Sequence, residues 1–66
     1  MVKLKGIHLV GDDMRELHSI ANYFGVGKSW LHINPYLYYD VINPIIHERI
    51  YRFLNSKKYI PVINQK

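Results

Sequence analysis

Two histidines and two aspartates could do chemistry together in this chain: His8, Asp12, His18 and Asp40. Imidazole and carboxylate groups can hold a divalent metal ion, and they can act as an acid–base pair on a phosphoester. A convincing metal motif has tighter spacing, such as two histidines four residues apart on one helix. The commoner role of such a histidine is structural, with its ring hydrogen-bonded inside the fold. We predict that these four side chains contact a ligand, and we assign no catalytic residue, metal or cofactor.

Aromatic and basic side chains interleave through the chain. Aromatic faces stack on nucleobases while Arg and Lys bind phosphates, so this mixture suits nucleotides or single-stranded nucleic acid. Arg49 and Arg52 lie one helical turn apart and could hold one phosphate between them. The alternative is that the aromatic rings fill the edge of a small core or an oligomer contact, and that the arginines form a solvated helix face. The predicted ligand-binding residues are His8, Asp12, Arg15, His18, Lys28, Trp30, Tyr39, Asp40, Arg49 and Arg52.

The segment Gly25-Val26-Gly27-Lys28-Ser29 resembles the end of a phosphate-binding P-loop. That loop has a further glycine five positions before its Gly-Lys-Ser, where this chain has Asn22. It also lies between a strand and a helix, whereas this segment follows a predicted helix. The pattern therefore indicates a helix end followed by a turn.

Alternating side chains over residues 2–10 predict one strand, covered on both sides at its inner end. Asp13 followed by Glu16 forms a capping box, which starts a helix. Apolar residues at helical spacing continue that helix to about residue 24, and Gly25 supplies the left-handed residue that ends it.

Residues 28–33 predict a short second strand, which Asn34-Pro35 ends. Residues 36–42 fit either a loop or a further extended stretch, and their aromatic content favours the extended form. Asn43-Pro44 is a strong helix start, with Asn as the cap and Pro at the first helical position. This second helix should run to about Leu54.

Asn55 can close the second helix in the left-handed conformation, and residues 59–63 predict a last short strand in which Pro61 favours an edge position. The element order is then β-α-β-(loop)-α-β. Strands that alternate with helices imply crossover connections. The predicted fold class is α/β, a single small domain over residues 1–66 with a largely parallel three-stranded sheet.

The chain has 66 residues, of which 48% are hydrophobic and 14% aromatic, and it contains no cysteine. A domain of this length buries only about 60% of the surface that its unfolded chain exposes, so it usually needs a disulfide, a metal or a partner subunit. Disulfides are excluded, which also fits a reducing compartment. The apolar content therefore favours a homo-oligomer.

Nine basic against five acidic side chains give a net charge of +4. This charge mildly favours anionic partners such as phosphates, nucleotides or nucleic acid, although many small proteins are basic merely for solubility. The longest apolar run is too short to span a membrane, and the first residues do not form a signal peptide. We therefore expect a cytoplasmic protein, in the host cytoplasm if it is viral.

Short motifs resemble a small domain family of unknown function found in bacteria and phages, whose members carry H-[LM]-V-x-D, E-L-H and H-[YF]-D. The matching residues are Ile7-His8-Leu9-Val10-Gly11-Asp12, Glu16-Leu17-His18, Ala21, Gly25, Trp30 and Tyr39-Asp40. The resemblance spans roughly residues 7–63, and it implies one shared site formed by His8, Asp12, His18, Tyr39 and Asp40. The family's histidine before Tyr-Asp is Tyr38 here, so any chemistry that needs that histidine is in part lost.

Three functions remain open from the sequence. The leading hypothesis is a small binding protein, suited to a phage, whose subunits sequester an anionic nucleotide-derived molecule such as a signal used in antiviral defence. The second is a metal-assisted phosphoesterase or nuclease that uses the four His and Asp side chains. The third is a basic inhibitor that binds nucleic acid or a host protein.

Overall fold

The computed structural model describes residues 1–61, which form a four-stranded sheet and two helices. The strands are β1 (Val2–Lys5), β2 (His8–Gly11), β3 (Leu31–His32) and β4 (Tyr38–Asp40), and the helices are α1 (Met14–Tyr23) and α2 (Pro44–Leu54). A single 3₁₀ turn, Lys28–Trp30, precedes β3. Neither helix is long and apolar enough to cross a membrane, a finding limited to residues 1–61.

All neighbouring strands of the sheet pair antiparallel, in the order β1-β2-β4-β3. The predicted largely parallel three-stranded sheet is therefore wrong, although helices and strands do combine in one α/β domain. Because β4 is antiparallel to both of its neighbours, β2 and β3 run in the same direction with β4 between them. The crossover through α1 exists, but the chain turns back after β3 and inserts β4 where parallel pairing was expected.

The predicted single strand over residues 2–10 is a hairpin. Lys5 pairs with His8, and the two residues between them form the turn. Gly6 has a φ of 60°, while Ile7 does not take a positive φ, which is the arrangement of a type II′ turn with glycine at its first central position. The His47 ring Nε2 lies 2.8 Å from the Gly6 carbonyl oxygen and ties this turn to α2.

Helix α1 begins and ends as predicted. The Asp13 carboxylate accepts a hydrogen bond from the Glu16 backbone N–H at 2.9 Å, which satisfies one of the unpaired donors of the first turn. Gly25 follows the helix with a φ of 82°, a conformation that side chains rarely adopt. The Glu16 carboxylate accepts a hydrogen bond from the Tyr59 hydroxyl at 2.8 Å, so the helix start also holds the segment after α2.

Helix α2 also begins and ends at the predicted residues. The Asn43 side chain accepts hydrogen bonds from the backbone N–H groups of Ile45 and Ile46, and Pro44 is the first helical residue. The predicted left-handed Asn55 is wrong, because its φ is −98°. Its backbone N–H donates to the Tyr51 carbonyl, and the side-chain amide reaches the same oxygen.

The remaining predicted strands are shorter or absent in the described part of the chain. Within residues 28–33, the first three form the 3₁₀ turn and only Leu31–His32 pair in the sheet. Within residues 36–42, Tyr38–Asp40 are extended, so the aromatic content indicated the right conformation. Residues 59–61 form no strand, and the rest of the predicted 59–63 strand lies outside the described residues.

Both helices pack on one side of the sheet. Leu9 and Tyr39 from the two central strands, Leu17 from α1 and Ile50 from α2 are at most 1% exposed and belong to one buried cluster. Full burial of each such aliphatic side chain contributes about 1.5–3 kcal/mol relative to exposure. This core fixes which side of each strand faces the helices, and so it also determines which side chains lie on the opposite side.

Candidate functional site on the open face of the sheet

The side of the sheet away from the helices, here called the open face, carries the polar side chains of all four strands. Successive residues of a strand point to opposite sides, so the strand pairings place these side chains in two adjacent rows. One row contains Lys5, His8 and Asp40, and the other contains Lys3, Val10, Tyr38 and His32. Histidine, tyrosine, lysine and aspartate from distant parts of the chain therefore meet on one surface.

Three rings form a stack across the open face. The Tyr38 ring lies between two imidazoles, with its centroid 4.1 Å from that of His8 and 5.0 Å from that of His32. The planes are inclined by 27° and 17°, so both contacts are nearly parallel stacks. Aromatic contacts of this kind contribute about 0.5–1.5 kcal/mol beyond burial. The stack holds the two imidazoles in place although both remain accessible to solvent.

The Asp40 carboxylate lies within ion-pair distance of both imidazoles. One of its oxygens is 3.4 Å from Nε2 of His8, and the other is 2.9 Å from Nε2 of His32. The carboxylate is 22% exposed, while the two imidazoles are 35% and 44% exposed. One carboxylate therefore joins the two imidazoles across the open face.

Tyr36 extends this cluster from the loop between β3 and β4, whose Asn34-Pro35 peptide bond is cis. Its hydroxyl is hydrogen-bonded to Nδ1 of His8 at 3.3 Å, and its ring centroid lies 5.2 Å from that of Tyr38. Beside Tyr36 is a groove of about 330 Å³, which is also lined by Lys3 and Val10. This volume is at the lower end of the range for small-molecule sites.

Two lysines on β1 add positive charge next to the rings. Lys3 and Lys5 are both exposed, and within residues 1–61 neither ammonium forms an ion pair with a carboxylate. Lys3 lines the groove beside Tyr36, and Lys5 is the strand partner of His8. Within residues 1–61, an anion on this face would therefore meet two lysines that form no direct ion pair, although the charge of Lys3 also attracts the Asp12 carboxylate.

Two of the four predicted His and Asp side chains lie together on the open face, namely His8 and Asp40. His18 lies on the opposite side of the sheet, where its Nδ1 shares a hydrogen bond of 2.5 Å with the buried Tyr39 hydroxyl. Burial raises the pKa of Tyr39 above its ordinary value. The structure therefore separates the His and Asp set that the sequence suggested, and it shows His18 and Tyr39 as structural partners.

Asp12 lies at the edge of the groove rather than beside the histidines. Its carboxylate accepts a hydrogen bond from the α-ammonium of Met1 at 2.6 Å, and this bond lowers the pKa of Asp12. The same ammonium lies 3.0 Å from the Glu16 carboxylate. In this position Asp12 would repel an anion from one end of the groove, and the Met1 ammonium offsets that charge.

The predicted arginines are on other surfaces. Arg49 and Arg52 line a groove between the end of α1 and α2, together with Lys58 and Tyr23, and this set is called the helical groove. Nε of Arg52 lies 2.7 Å from a carboxylate oxygen of Glu48, so this ion pair partly neutralises the charge of Arg52. The helical groove is therefore a second cationic surface, separate from the open face.

Three further predicted residues are dispersed. Arg15 lines a shallow groove between α1 and the segment around Tyr59. Lys28 is exposed in the 3₁₀ turn, and Trp30 lines a small cavity of about 50 Å³ that Asp40 also borders. Trp30 is therefore not one of the stacked rings of the open face.

Five residues of the open face were not among the predicted ligand-binding residues: Lys3, Lys5, His32, Tyr36 and Tyr38. One signal was available, because Tyr36, Tyr38 and Asp40 are two residues apart and an extended chain brings such positions to one side. His32 gave no comparable signal, since its place beside Asp40 depends on how β3 pairs with β4.

Within the described part of the chain, the His, Asp and Glu side chains form no group of three arranged to hold a metal ion. Comparison with known proteins adds no identity: no family model, curated protein or solved structure matches this chain.

Proposed function

We propose that this protein binds an anionic, nucleotide-derived molecule on the open face of its sheet and acts by sequestering it. The observation that supports this most directly is the combination of accessible stacked rings with unpaired lysines on one surface. Rings can contact a base or ribose, while ammonium groups can bind phosphate. On the open face both kinds of contact are available within two neighbouring rows of the sheet.

The groove beside Tyr36 is the part of the open face that can enclose a small ligand. Tyr36 and Val10 supply aromatic and apolar walls, and Lys3 supplies a cation at the same groove. Small-molecule sites commonly combine apolar walls with a few placed polar groups. A base placed against Tyr36 would leave its phosphate within reach of the lysines on β1.

The same chemistry suits a nucleotide unit within a single strand. An antiparallel sheet with tyrosine and histidine on a helix-free side, flanked by lysines, is the kind of surface on which single-stranded nucleic acids stack. The shared ligand is a nucleotide with its phosphate, so free nucleotides and short single strands should be compared directly.

Charge reversal of a lysine on the open face, compared with the same change elsewhere, tests the proposal. We expect Lys3→Glu to weaken binding of ADP about tenfold or more, because a hydrogen bond to a charged group contributes about 1.5–3 kcal/mol. Lys57→Glu makes the same charge change on the exposed turn after α2 and should leave affinity within about twofold. Isothermal titration calorimetry of the three proteins gives the comparison.

Binding that depends on the helical groove instead of the open face would contradict the proposal. If Arg49→Glu abolishes binding while Lys3→Glu does not, the helical groove is the site and the open face is not. Dependence on salt separates the two sources of nucleotide, because affinity for a strand falls with salt in proportion to the phosphates that are neutralised. A slope above that of one or two phosphates, with no binding of free nucleotides, would favour nucleic acid.

We also propose that the protein is a homo-oligomer. Large apolar side chains stay exposed over the described residues, including Ile42 at 55%, Ile45 at 64% and Tyr23 at 81%. Contacts between copies would cover part of this surface. Native mass spectrometry of the calorimetry samples reports the number of copies together with any retained nucleotide.

A further inference from the structure

We propose that the open face also cleaves ribonucleotide phosphodiester bonds without a metal ion, with His32 as general base and Tyr36, backed by His8, as general acid. This inference rests on the proposed binding of a nucleotide to that face. It depends on one juxtaposition: two imidazoles flank Tyr38 and share one carboxylate, and His8 also lies beside the Tyr36 hydroxyl and Lys5.

The proposed step uses the two imidazoles in different protonation states, with His8 as the imidazolium and His32 as the neutral ring. Asp40 is 2.9 Å from one ring and 3.4 Å from the other. A site with one imidazolium and one neutral imidazole contains a proton donor and a proton acceptor at once. That is the condition for concerted general acid–base catalysis.

His32 is suited to be the base. Its ring is 44% exposed, and Nε2 is the atom that lies next to Asp40. Within residues 1–61, no side chain or backbone group is hydrogen-bonded to its Nδ1. A neutral imidazole can therefore accept a proton from a bound ribose hydroxyl at Nδ1, and the nearby carboxylate stabilises the imidazolium that forms.

Tyr36 and His8 are suited to be the acid. The Tyr36 hydroxyl is 3.3 Å from Nδ1 of His8, and a hydroxyl can accept one hydrogen bond while it donates another. When His8 is an imidazolium, its Nδ1–H donates to the Tyr36 oxygen, and the Tyr36 proton is free to bond a leaving oxygen. His8 then replaces the proton that Tyr36 gives up.

The step balances within the site. His32 takes the proton from the 2′-hydroxyl, the 2′-oxygen forms a bond to phosphorus, and the bond from phosphorus to the 5′-oxygen breaks. The 5′-oxygen takes the proton from Tyr36, so the products are a 2′,3′-cyclic phosphate and a 5′-hydroxyl. No water, metal or oxidant is consumed, and Lys3 is placed to stabilise the charge that develops on the phosphate oxygens.

The test uses the ribodinucleotide UpA in the presence of EDTA, with product masses read by mass spectrometry. We expect the wild-type chain to release uridine 2′,3′-cyclic phosphate and adenosine. His32→Ala should lower the rate at least about 100-fold, the usual scale for loss of a general base. Lys57→Gln is the matched surface control and should leave the rate unchanged.

A substrate with a better leaving group shows whether Tyr36 acts as the general acid or only supports the structure. Tyr36→Phe should slow cleavage of UpA, but it should leave cleavage of the 4-nitrophenyl ester of uridine 3′-phosphate nearly unaffected, because nitrophenolate departs without a proton. Asp40→Asn should lower the rate with both substrates and shift the pH profile, while the fold, checked by circular dichroism, is retained.

Binding is measured separately with the 2′-deoxy analogue of UpA, which cannot react. Absence of cleavage by a wild-type chain that still binds this analogue would overturn the catalytic inference and leave the proposed function intact. If the wild-type chain neither cleaves UpA nor binds the 2′-deoxy analogue, that result counts against the proposed function itself. Cleavage that EDTA abolishes would also overturn the inference, since cleavage would then depend on a metal ion.

Discussion

Tyr38 and Tyr39 are consecutive residues of one strand with opposite environments. Tyr39 is 1% exposed, belongs to the buried cluster beneath the helices, and is hydrogen-bonded to His18. Tyr38 is half-buried on the open face, stacked between two imidazoles. The side of the sheet, rather than the residue type, therefore decides whether a tyrosine stabilises the core or presents its ring to a ligand.

The histidines repeat this contrast. His18 approaches the covered side of the sheet from α1, and its partner is a buried hydroxyl. His8 lies on the open face, and its partner Tyr36 is 43% exposed. Each side of the sheet thus has a His–Tyr hydrogen bond, but the hydroxyl of the covered pair is buried, whereas both partners on the open face are accessible.

The contrast should be largest when the two tyrosines are truncated in turn. Tyr39→Ala should lower the free energy of unfolding by about 3–5 kcal/mol, as for other large-to-small aromatic substitutions in a core. Tyr38→Ala should cost less than about 1.5 kcal/mol, because its main loss is the ring stack. Urea denaturation followed by circular dichroism measures both. Equal losses would mean that the open face is covered in solution, as it would be by a second copy.

Removing only the hydroxyl groups gives a smaller test of the same contrast. Tyr39→Phe should cost about 1 kcal/mol, because it breaks the hydrogen bond to His18 in a partly buried position. Tyr36→Phe should change the free energy of unfolding by less than about 0.5 kcal/mol, since water replaces the lost contact at an exposed site. A larger loss for Tyr36→Phe than for Tyr39→Phe would contradict the assignment of structural and accessible pairs.

Tyr59, on the covered side of the sheet, gives the chain a stability that depends on alkaline pH. Its ring packs against the core, and its hydroxyl accepts a hydrogen bond from the Val2 N–H and donates one to the Glu16 carboxylate. Burial raises the pKa of Tyr59 to about 12, from an ordinary value of 10.0. Because the folded chain holds this proton more tightly, the group's contribution to stability is complete below pH 10 and is lost as the pH rises towards 12.

We therefore expect the thermal midpoint to fall between pH 10 and 11.5, and Tyr59→Phe to make that fall shallower. Tyr51→Phe, at an exposed tyrosine of α2, is the matched control and should follow the wild-type curve. Identical slopes for the two variants and the wild type would show that the Tyr59 hydroxyl is not protected in the folded state.

The helices were predictable because their signals are local. Asp13 and Asn43 accept hydrogen bonds from N–H groups two or three residues ahead. Gly25 adopts the left-handed conformation directly after α1. Each of these contacts is made within one helical turn, so residue type and spacing are sufficient to place it.

The hairpin shows how one turn changes the assignment of faces. With residues 2–10 taken as a single strand, His8 and Val10 share a side with Val2 and Leu4. The turn at Gly6 reverses the chain, so these two side chains lie with the lysines on the open face instead. Gly6 was only a weak signal for a turn. The apolar Ile7 after it fits the pattern of alternating side chains that a continuous strand over residues 2–10 would have.

The sequence by itself determined the two helices, their N-terminal caps, the extended aromatic segment and the basic, aromatic character of the chain, since all of these depend on neighbours a few residues apart. The tertiary structure decided the strand order, and with it the meeting of His8, His32 and Asp40. These residues are 24 and 8 positions apart along the chain, and they meet because burial of Leu9, Leu31 and Tyr39 beneath the helices aligns three strands. Strand pairing depends on that shared core, which no local pattern encodes.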